Sequence, residues 1–184
     1  MKTSASLSAN TNASFEANTC NTDSLGMTTR YEVECFNSKG DLKWSDGFDN
    51  LVVNQGLDDV LDKYFKGVAY TSTHYAGLKL VGTVVAGDTM ASHAGWAESS
   101  AYSNVTRPVV TLGSVSSQSV DNSASKASFS INATATITGA FTSTDSTKGG
   151  STGILYGGGE FTVPRGVADG DTLNVTMTYT NAAV

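Results

Sequence analysis

Two stretches of the chain alternate between apolar and polar residues with a period of two. From Ser125 to Ile137 the apolar positions are Ala127, Phe129, Ile131, Ala133, Ala135 and Ile137. From Thr172 to Thr180 they are Leu173, Val175, Met177 and Tyr179. Because side chains point alternately to the two faces of a strand, each stretch predicts a strand with one buried face. The opposite face consists mainly of Ser, Thr and Asn and is predicted to be exposed.

The same alternation begins at Arg30, where residues 31–44 predict a β-hairpin. A turn at residues 38–41 contains Gly40 and separates two short strands. The apolar positions of these strands are Tyr31, Val33 and Cys35, then Leu42 and Trp44. Further strand-like segments follow from residue 75 onward at spacings of about ten residues, which is typical of a sandwich or barrel.

One segment has the period of a helix, which we predict at about residues 55–66. Asn54 is the candidate N-cap, and Gly67 ends the pattern. The spacing i, i+3, i+4, i+7, i+8 is typical of a helix with one face on the core. The positions that follow this spacing, and that we therefore predict to face the core, are Leu57, Val60, Leu61, Tyr64 and Phe65.

These patterns together predict a mainly β fold. We expect an antiparallel β-sandwich, Ig-like or jelly-roll-like, with one amphipathic α-helix and an extended N-terminal arm. Residues 30–184 would form the single sandwich domain. Residues 1–29 are rich in Ser, Thr and Asn and contain too few large apolar residues to fold alone. The arm is therefore either flexible or ordered by lying on a partner, with Phe15 and Leu25 as its anchors.

The composition narrows the possible partners. The 184 residues carry a net charge of −6, and the 11 Lys and Arg residues form no basic run. Nucleic-acid binding requires a clustered basic face, so we expect no nucleic-acid partner. No apolar stretch is long enough to cross a bilayer, and the N-terminus lacks the apolar region of a signal peptide, so no membrane partner or secretion is expected. Cys20 and Cys35 are either reduced thiols or a pair.

The sequence contains no pattern typical of catalysis. His74 and His93 are 19 positions apart and lack the spacing of a zinc site. The carboxylates of Asp169 and Asp171 flank a Gly in a predicted turn, which we favour over a calcium site. We therefore expect no enzyme, no metal and no cofactor. Four aromatic residues are candidates for a sugar-stacking surface, although core packing is the simpler role for most: Tyr70, Trp96, Tyr102 and Tyr156.

The chain resembles a family of small virion structural proteins of tailed bacteriophages. The resemblance covers about residues 30–181 and is most specific in three segments. They are NLVVNQGLDDVLDKYF at 50–65, DTMASHAGW at 88–96 and QSVDNSASKASFSI at 118–131. Members are short, β-rich and without known catalytic residues. The N-terminal arm lies outside the resemblance.

This resemblance implies a protein of the virion, made in the cytoplasm of the bacterial host. We expect a capsid decoration or cement protein on the capsid exterior. It would bind the major capsid protein and itself, as a homo-oligomer such as a trimer. The alternative is a tail or fibre component that contacts a host surface glycan. The residues that we predict to contact a partner lie in the arm and in the loop at 142–153; they are Phe15, Leu25, Thr147 and Lys148.

Overall fold

The protein is a sandwich of two antiparallel sheets, seen in a computed structural model that describes residues 25–70 and 73–183. The first sheet has the strand order β2-β1-β11-β7, and β8 also pairs with β11. Its strands are β1 (Leu25–Phe36), β2 (Leu42–Asp49), β7 (Ser119–Asp121), β8 (Ala127–Ser130) and β11 (Thr172–Ala183). The predicted mainly β, antiparallel fold is confirmed.

The second sheet has the order β3-β10-β9-β4-β5, and β6 pairs with the beginning of β4. Its strands are β3 (Leu51–Val52), β4 (His74–Gly82), β5 (Trp96–Glu98), β6 (Val109–Val110), β9 (Ala135–Ser143) and β10 (Leu155–Val167). Helix α1 (Asn54–Val60) follows β3 and continues as a π-helical turn over Leu61–Phe65. The helix therefore lies close to its predicted position.

In the hairpin formed by β1 and β2, only β1 follows the predicted alternation, because Leu42 of β2 is 55% exposed and Trp44 is partly buried. The side chains of Tyr31, Val33 and Cys35 are buried, and β1 pairs with β2 on one side and with β11 on the other. The turn between β1 and β2 includes Gly40 with φ of 87°, a left-handed conformation that favours glycine. β1 begins at Leu25, so it includes five residues that the sequence assigned to the arm.

The stretch from Ser125 to Ile137 is divided between the two sheets instead of forming one strand. β8 pairs with β11 in the first sheet, whereas β9 pairs with β4 and β10 in the second. Ala127, Phe129, Ile131 and Ile137 are buried as predicted. Ala133 is exposed because it lies in the connection between the sheets. The alternation therefore identified four of the six positions correctly as buried but did not reveal the change of sheet.

The main core lies between the sheets and receives the alternating side chains of both. Leu173, Val175 and Met177 of β11 enter it from the first sheet, and Ile137 enters from the second. Tyr31 and Thr142 bridge the layers through a hydrogen bond of 2.6 Å between their hydroxyl oxygens. A smaller core cluster, which includes Trp96, lies on the other side of the second sheet. Trp96 is thus buried, which is the core-packing role that we considered the simpler one for most of the four candidate aromatics.

Cys35 lies within the main core. Its side chain is buried, and its thiol is 3.7 Å from a carboxylate oxygen of Asp171. Burial, together with the nearby Asp171 charge, raises the pKa of the Cys35 thiol to about 11. Cys20 lies outside the described residues, so the two alternatives for the cysteines both stay predictions.

Candidate binding surface

The prediction that the apolar stripe of the helix faces the core is wrong, because most of the side chains in this stripe are exposed to solvent. Four of its large side chains form a surface that we call the exposed helix face. Their exposed fractions are 43% for Leu57, 53% for Leu61, 80% for Tyr64 and 70% for Phe65. The rings of Tyr64 and Phe65 contact each other edge to face, with centroids 5.0 Å apart. A contiguous apolar surface of this kind is typical of a site that binds another molecule.

The helix turns this face outward because its inner side is made of small and polar residues. Gly56 lies against the backbone of Tyr156, where an added Cβ would come within 2.5 Å of the carbonyl oxygen. Asp59, one turn along, accepts a hydrogen bond of 2.6 Å from the hydroxyl of Tyr156. Both Gly56 and Asp59 are buried. Close backbone approach and a polar bond, rather than the leucine stripe, thus attach the helix to β10.

A groove of about 410 Å³ lies between the helix and the ends of the sheets. Its helix side is formed by Val60, Lys63 and Tyr64. Its other walls come from segments that are distant in sequence, namely Met27, Tyr70, His74, Leu112, Tyr156 and Tyr179. We call it the His74 groove. Its walls are mainly apolar and aromatic, with a few polar groups, which is the usual composition of a binding pocket.

The polar groups of the groove centre on His74. Its ring packs against the ring of Tyr156, with centroids 4.5 Å apart, and its side chain is buried. Neither ring nitrogen of His74 has a hydrogen-bond partner among the described residues. Burial lowers the pKa of His74, and the Asp59 charge opposes this only in part. Burial and the hydrogen bond to Asp59 raise the pKa of Tyr156. The groove therefore offers a neutral imidazole.

The lowered pKa of His74 predicts a loss of stability in mild acid. Below the ordinary His pKa of 6.5 the unfolded chain binds a proton that the folded protein rejects. The free energy of unfolding should therefore be constant above pH 6.5. It should then fall by up to about 1.4 kcal/mol per pH unit until the lowered pKa is reached. Urea unfolding at several pH values between 7.5 and 5 measures this.

The matched variants for this pH effect are His74→Phe and His93→Gln. The first removes the imidazole and should flatten the pH dependence, while the second keeps His74 and should retain it. The other ionisable groups that line the groove, Lys63, Tyr70, Tyr156 and Tyr179, are present in both variants. An equal loss of stability in acid for both variants would contradict the assignment to His74.

The partner-contact residues predicted from sequence do not come together at this surface. Phe15 lies outside the described residues, and Leu25 is the first residue of β1. Thr147 and Lys148 are in the loop between β9 and β10, and neither lines the His74 groove. Lys148 donates to the backbone carbonyls of Tyr102 at 2.8 Å and Asn104 at 2.9 Å. Lys148 is thus engaged within the fold, while Thr147 is exposed.

The loop that carries Thr147 and Lys148 is fixed by a buried ion pair that sequence reasoning missed. The Arg107 guanidinium is fully buried and lies 2.7 Å from a carboxylate oxygen of Glu98. It also donates to the carbonyls of Asp145 and Gly150 in the loop. Nothing in the local pattern around Arg107 or Glu98 marks either residue, because each is surrounded by ordinary loop or edge-strand sequence. The backbone of this loop is consequently held in place by Arg107, which its polar composition does not suggest.

The four aromatic candidates for sugar stacking separate into two groups. Trp96 and Tyr102 are buried, so neither presents a free ring face to solvent. Tyr70 and Tyr156 both line the His74 groove, and Tyr70 is 69% exposed. The structure therefore places two of the four rings on the same surface as the exposed helix face.

Asp171, one of the two carboxylates weighed as calcium ligands, serves other contacts. Asp171 accepts from Lys43 at 2.5 Å and from the backbone of Ala168 at 2.8 Å, beside the predicted turn at Gly170. Within residues 25–70 and 73–183, no group of three or more His, Cys, Asp or Glu is close enough to hold a metal ion. In the same part of the chain no helix is long and apolar enough to cross a membrane.

Comparison with known proteins adds no relative. No protein-family model matches the sequence, and no curated protein matches it. The surface must therefore be interpreted from its own chemistry. An exposed apolar helix face lies beside an aromatic groove, and the groove contains a histidine whose ring nitrogens have no hydrogen-bond partner among residues 25–70 and 73–183.

Proposed function

We propose that this protein is a structural component of a tailed-bacteriophage virion and decorates the outer surface of the capsid. It would bind the major capsid protein through the exposed helix face and stabilise the assembled lattice. The sequence resemblance supports the virion assignment. The observation that carries the binding role is the exposure of four large apolar side chains on the helix face whose spacing is otherwise typical of burial in the core.

The physical basis of this role is the free energy gained when the helix face leaves water. Burial of apolar surface contributes roughly 25 cal/mol per Å², so two leucines and two aromatic rings supply the core of an interface. Tyr64 also retains a hydroxyl that can bond at the rim. A ligand that binds only the assembled lattice shifts the assembly equilibrium toward the intact shell by mass action. Decoration would thus raise capsid stability without any catalysis.

Co-sedimentation with undecorated capsids tests this function. The wild-type protein should bind saturably and raise the temperature at which the capsids open. Leu61→Asp places a charge in the centre of the exposed helix face, and an unpaired buried charge is costly. We expect its affinity to fall about tenfold or more, equivalent to about 1.4 kcal/mol.

Val105→Asp is the matched control for Leu61→Asp. Val105 is 91% exposed and lies outside the helix face, so this variant should bind as the wild-type protein does. Circular dichroism should show that both variants are folded, since both positions are exposed. Absence of saturable binding by the wild-type protein would contradict the decoration role. If Leu61→Asp bound with the same affinity as the wild-type protein, the exposed helix face would not be the capsid-binding surface.

A further inference from the structure

The His74 groove has an unmet hydrogen-bonding requirement that identifies the chemistry of its occupant. His74 is 9% exposed, and both its ring nitrogens lack partners among the described residues. Leaving a buried polar group unpaired costs about 1–3 kcal/mol. A neutral imidazole has one donor and one acceptor nitrogen, and a peptide group has the complementary carbonyl and N–H. The groove thus suits a peptide segment better than a purely apolar molecule.

The aromatic walls of the groove require an apolar side chain on that segment. Tyr64 is 80% exposed, Tyr70 is 69% exposed and Leu112 is 37% exposed, although all three line the same groove. An aromatic ring inserted here would remove these side chains from water and pair with the tyrosine rings, which is worth about 0.5–1.5 kcal/mol per ring pair beyond area burial. The occupant is therefore a polar segment with an aromatic anchor.

The chain itself has such a segment attached beside the groove. Met27 lines the groove, and 24 residues precede Leu25, which is two positions earlier. Phe15 is the only aromatic residue among these 24, and Ser14 and Glu16 flank it. Residues 16–24 join Phe15 to Leu25, and ten residue steps reach about 33 Å when extended. This length is sufficient to bring Phe15 back to a groove that begins at Met27.

We propose that the chain's own N-terminal segment docks in the His74 groove. The Phe15 ring would pack against Tyr64 and Tyr70, and a peptide group beside it would bond to His74. Tethering gives the segment an effective concentration in the millimolar range, which favours it over the same segment of a second copy at micromolar concentration. This inference does not depend on capsid binding.

Disulfide trapping in the full-length chain tests the docking. All variants carry Cys20→Ser, and Cys35 is kept because it is buried. Ser14→Cys with Leu112→Cys places one thiol beside the Phe15 anchor and the other on the groove wall, and it keeps Tyr64 and Tyr70, against which the Phe15 ring would pack. Mild oxidation of the dilute protein should give an intramolecular disulfide, identified by mass and peptide mapping. Both positions are open to substitution, since Leu112 is 37% exposed and Phe15 is retained.

Two controls separate docking from chance collision. Adding Phe15→Ser to the trapped pair removes the anchor and should slow the reaction about tenfold or more, corresponding to about 1.4 kcal/mol of docking energy. Ser14→Cys with Val81→Cys should react at that slow rate as well. Val81 is 80% exposed, and it lies seven residues along β4 from His74, about 23 Å in an extended strand.

Each outcome decides the proposal. Fast intramolecular trapping that requires Phe15 supports docking of the chain's own segment. Disulfide-linked dimers as the main product would overturn it in favour of a second copy. Trapping that is no faster than the Val81 pair, or that is unchanged by Phe15→Ser, would overturn it altogether. The trapping experiment contains no capsid, so a negative result does not bear on the decoration role. That role is tested separately by co-sedimentation with capsids.

Discussion

Replacement of Glu98 by Gln is expected to lower the free energy of unfolding by about 3–5 kcal/mol, because it leaves the buried Arg107 charge without its counterion. The two side chains are 8% and 0% exposed, respectively. The carboxylate also accepts from the backbone N–H of Gly149 at 2.8 Å and from the hydroxyl of Tyr102 at 3.2 Å. One substitution therefore weakens three contacts of Glu98, with Arg107 and Tyr102 between β5 and β6 and with Gly149 in the β9–β10 loop. Urea unfolding followed by tryptophan fluorescence measures the loss.

The control for this loss is Glu32→Gln on the exposed side of β1. Glu32 is 64% exposed and lies 3.8 Å from Arg30, so the same change of charge should alter stability by no more than about 0.5 kcal/mol. Since single domains are stable by only about 5–15 kcal/mol, the Glu98 variant loses a large part of the total. Equal small losses for the two variants would show that solvent, rather than Glu98, balances the Arg107 charge.

Alternation of period two was a reliable guide to this fold because it follows from strand geometry alone. Tyr31, Val33 and Cys35 are buried in the first sheet, as are Leu173, Val175 and Met177 of β11, whereas Tyr179 is partly buried. Strand pairing was harder to predict from the sequence than side-chain burial. Residues 125–137 keep their alternation while passing from one sheet to the other, because both sheets face the same core. The alternation indicates which side chains face the core, but it does not indicate which strand pairs with the segment.

The helix shows the opposite case, in which a strong pattern gave the wrong face. Period 3.6 identifies an apolar stripe, and such a stripe is normally buried in the protein that carries it. Here Gly56 and Asp59 occupy the inner side because the backbone of Tyr156 leaves no space for a larger residue at position 56. The sequence contained one signal of the true inner face: Gly56 lies within the helical pattern, and Asp59 follows it three positions later on the same face. It indicated close approach and a polar contact.

The His74 groove could not be predicted from the sequence, and the reason differs from that for the helix. Its walls include residues from the beginning of β1, the helix, the beginning of β4, β10 and the end of β11, and Met27 and Tyr179 are 152 positions apart. No spacing rule joins such residues before the strand order is known. The sequence nevertheless named Tyr70 and Tyr156 as candidate contact aromatics. It also identified Phe15 as an anchor in the arm, although it could not indicate a surface for it.

Replacement of Phe129 by Ala should lower the free energy of unfolding by about 3–5 kcal/mol, since it opens a cavity in the main core. Phe129 is fully buried in β8, and its ring contacts Tyr102 edge to face with centroids 5.0 Å apart. The backbone of β8 pairs with β11, so the surrounding strands cannot easily collapse into the space. Urea unfolding with a two-state fit measures the effect, and an unchanged m-value shows that the native state stays compact.

Phe65→Ala is the matched control, because the same atoms are removed from a residue that the sequence pattern also predicted to be inward. Phe65 is 70% exposed, so its truncation should change stability by less than about 0.5 kcal/mol. It should instead weaken capsid binding if the exposed helix face forms the interface. A stability loss as large as that of Phe129→Ala would mean that the helix packs its leucine stripe inward in solution. The outward face, and the binding role argued from it, would then both be wrong.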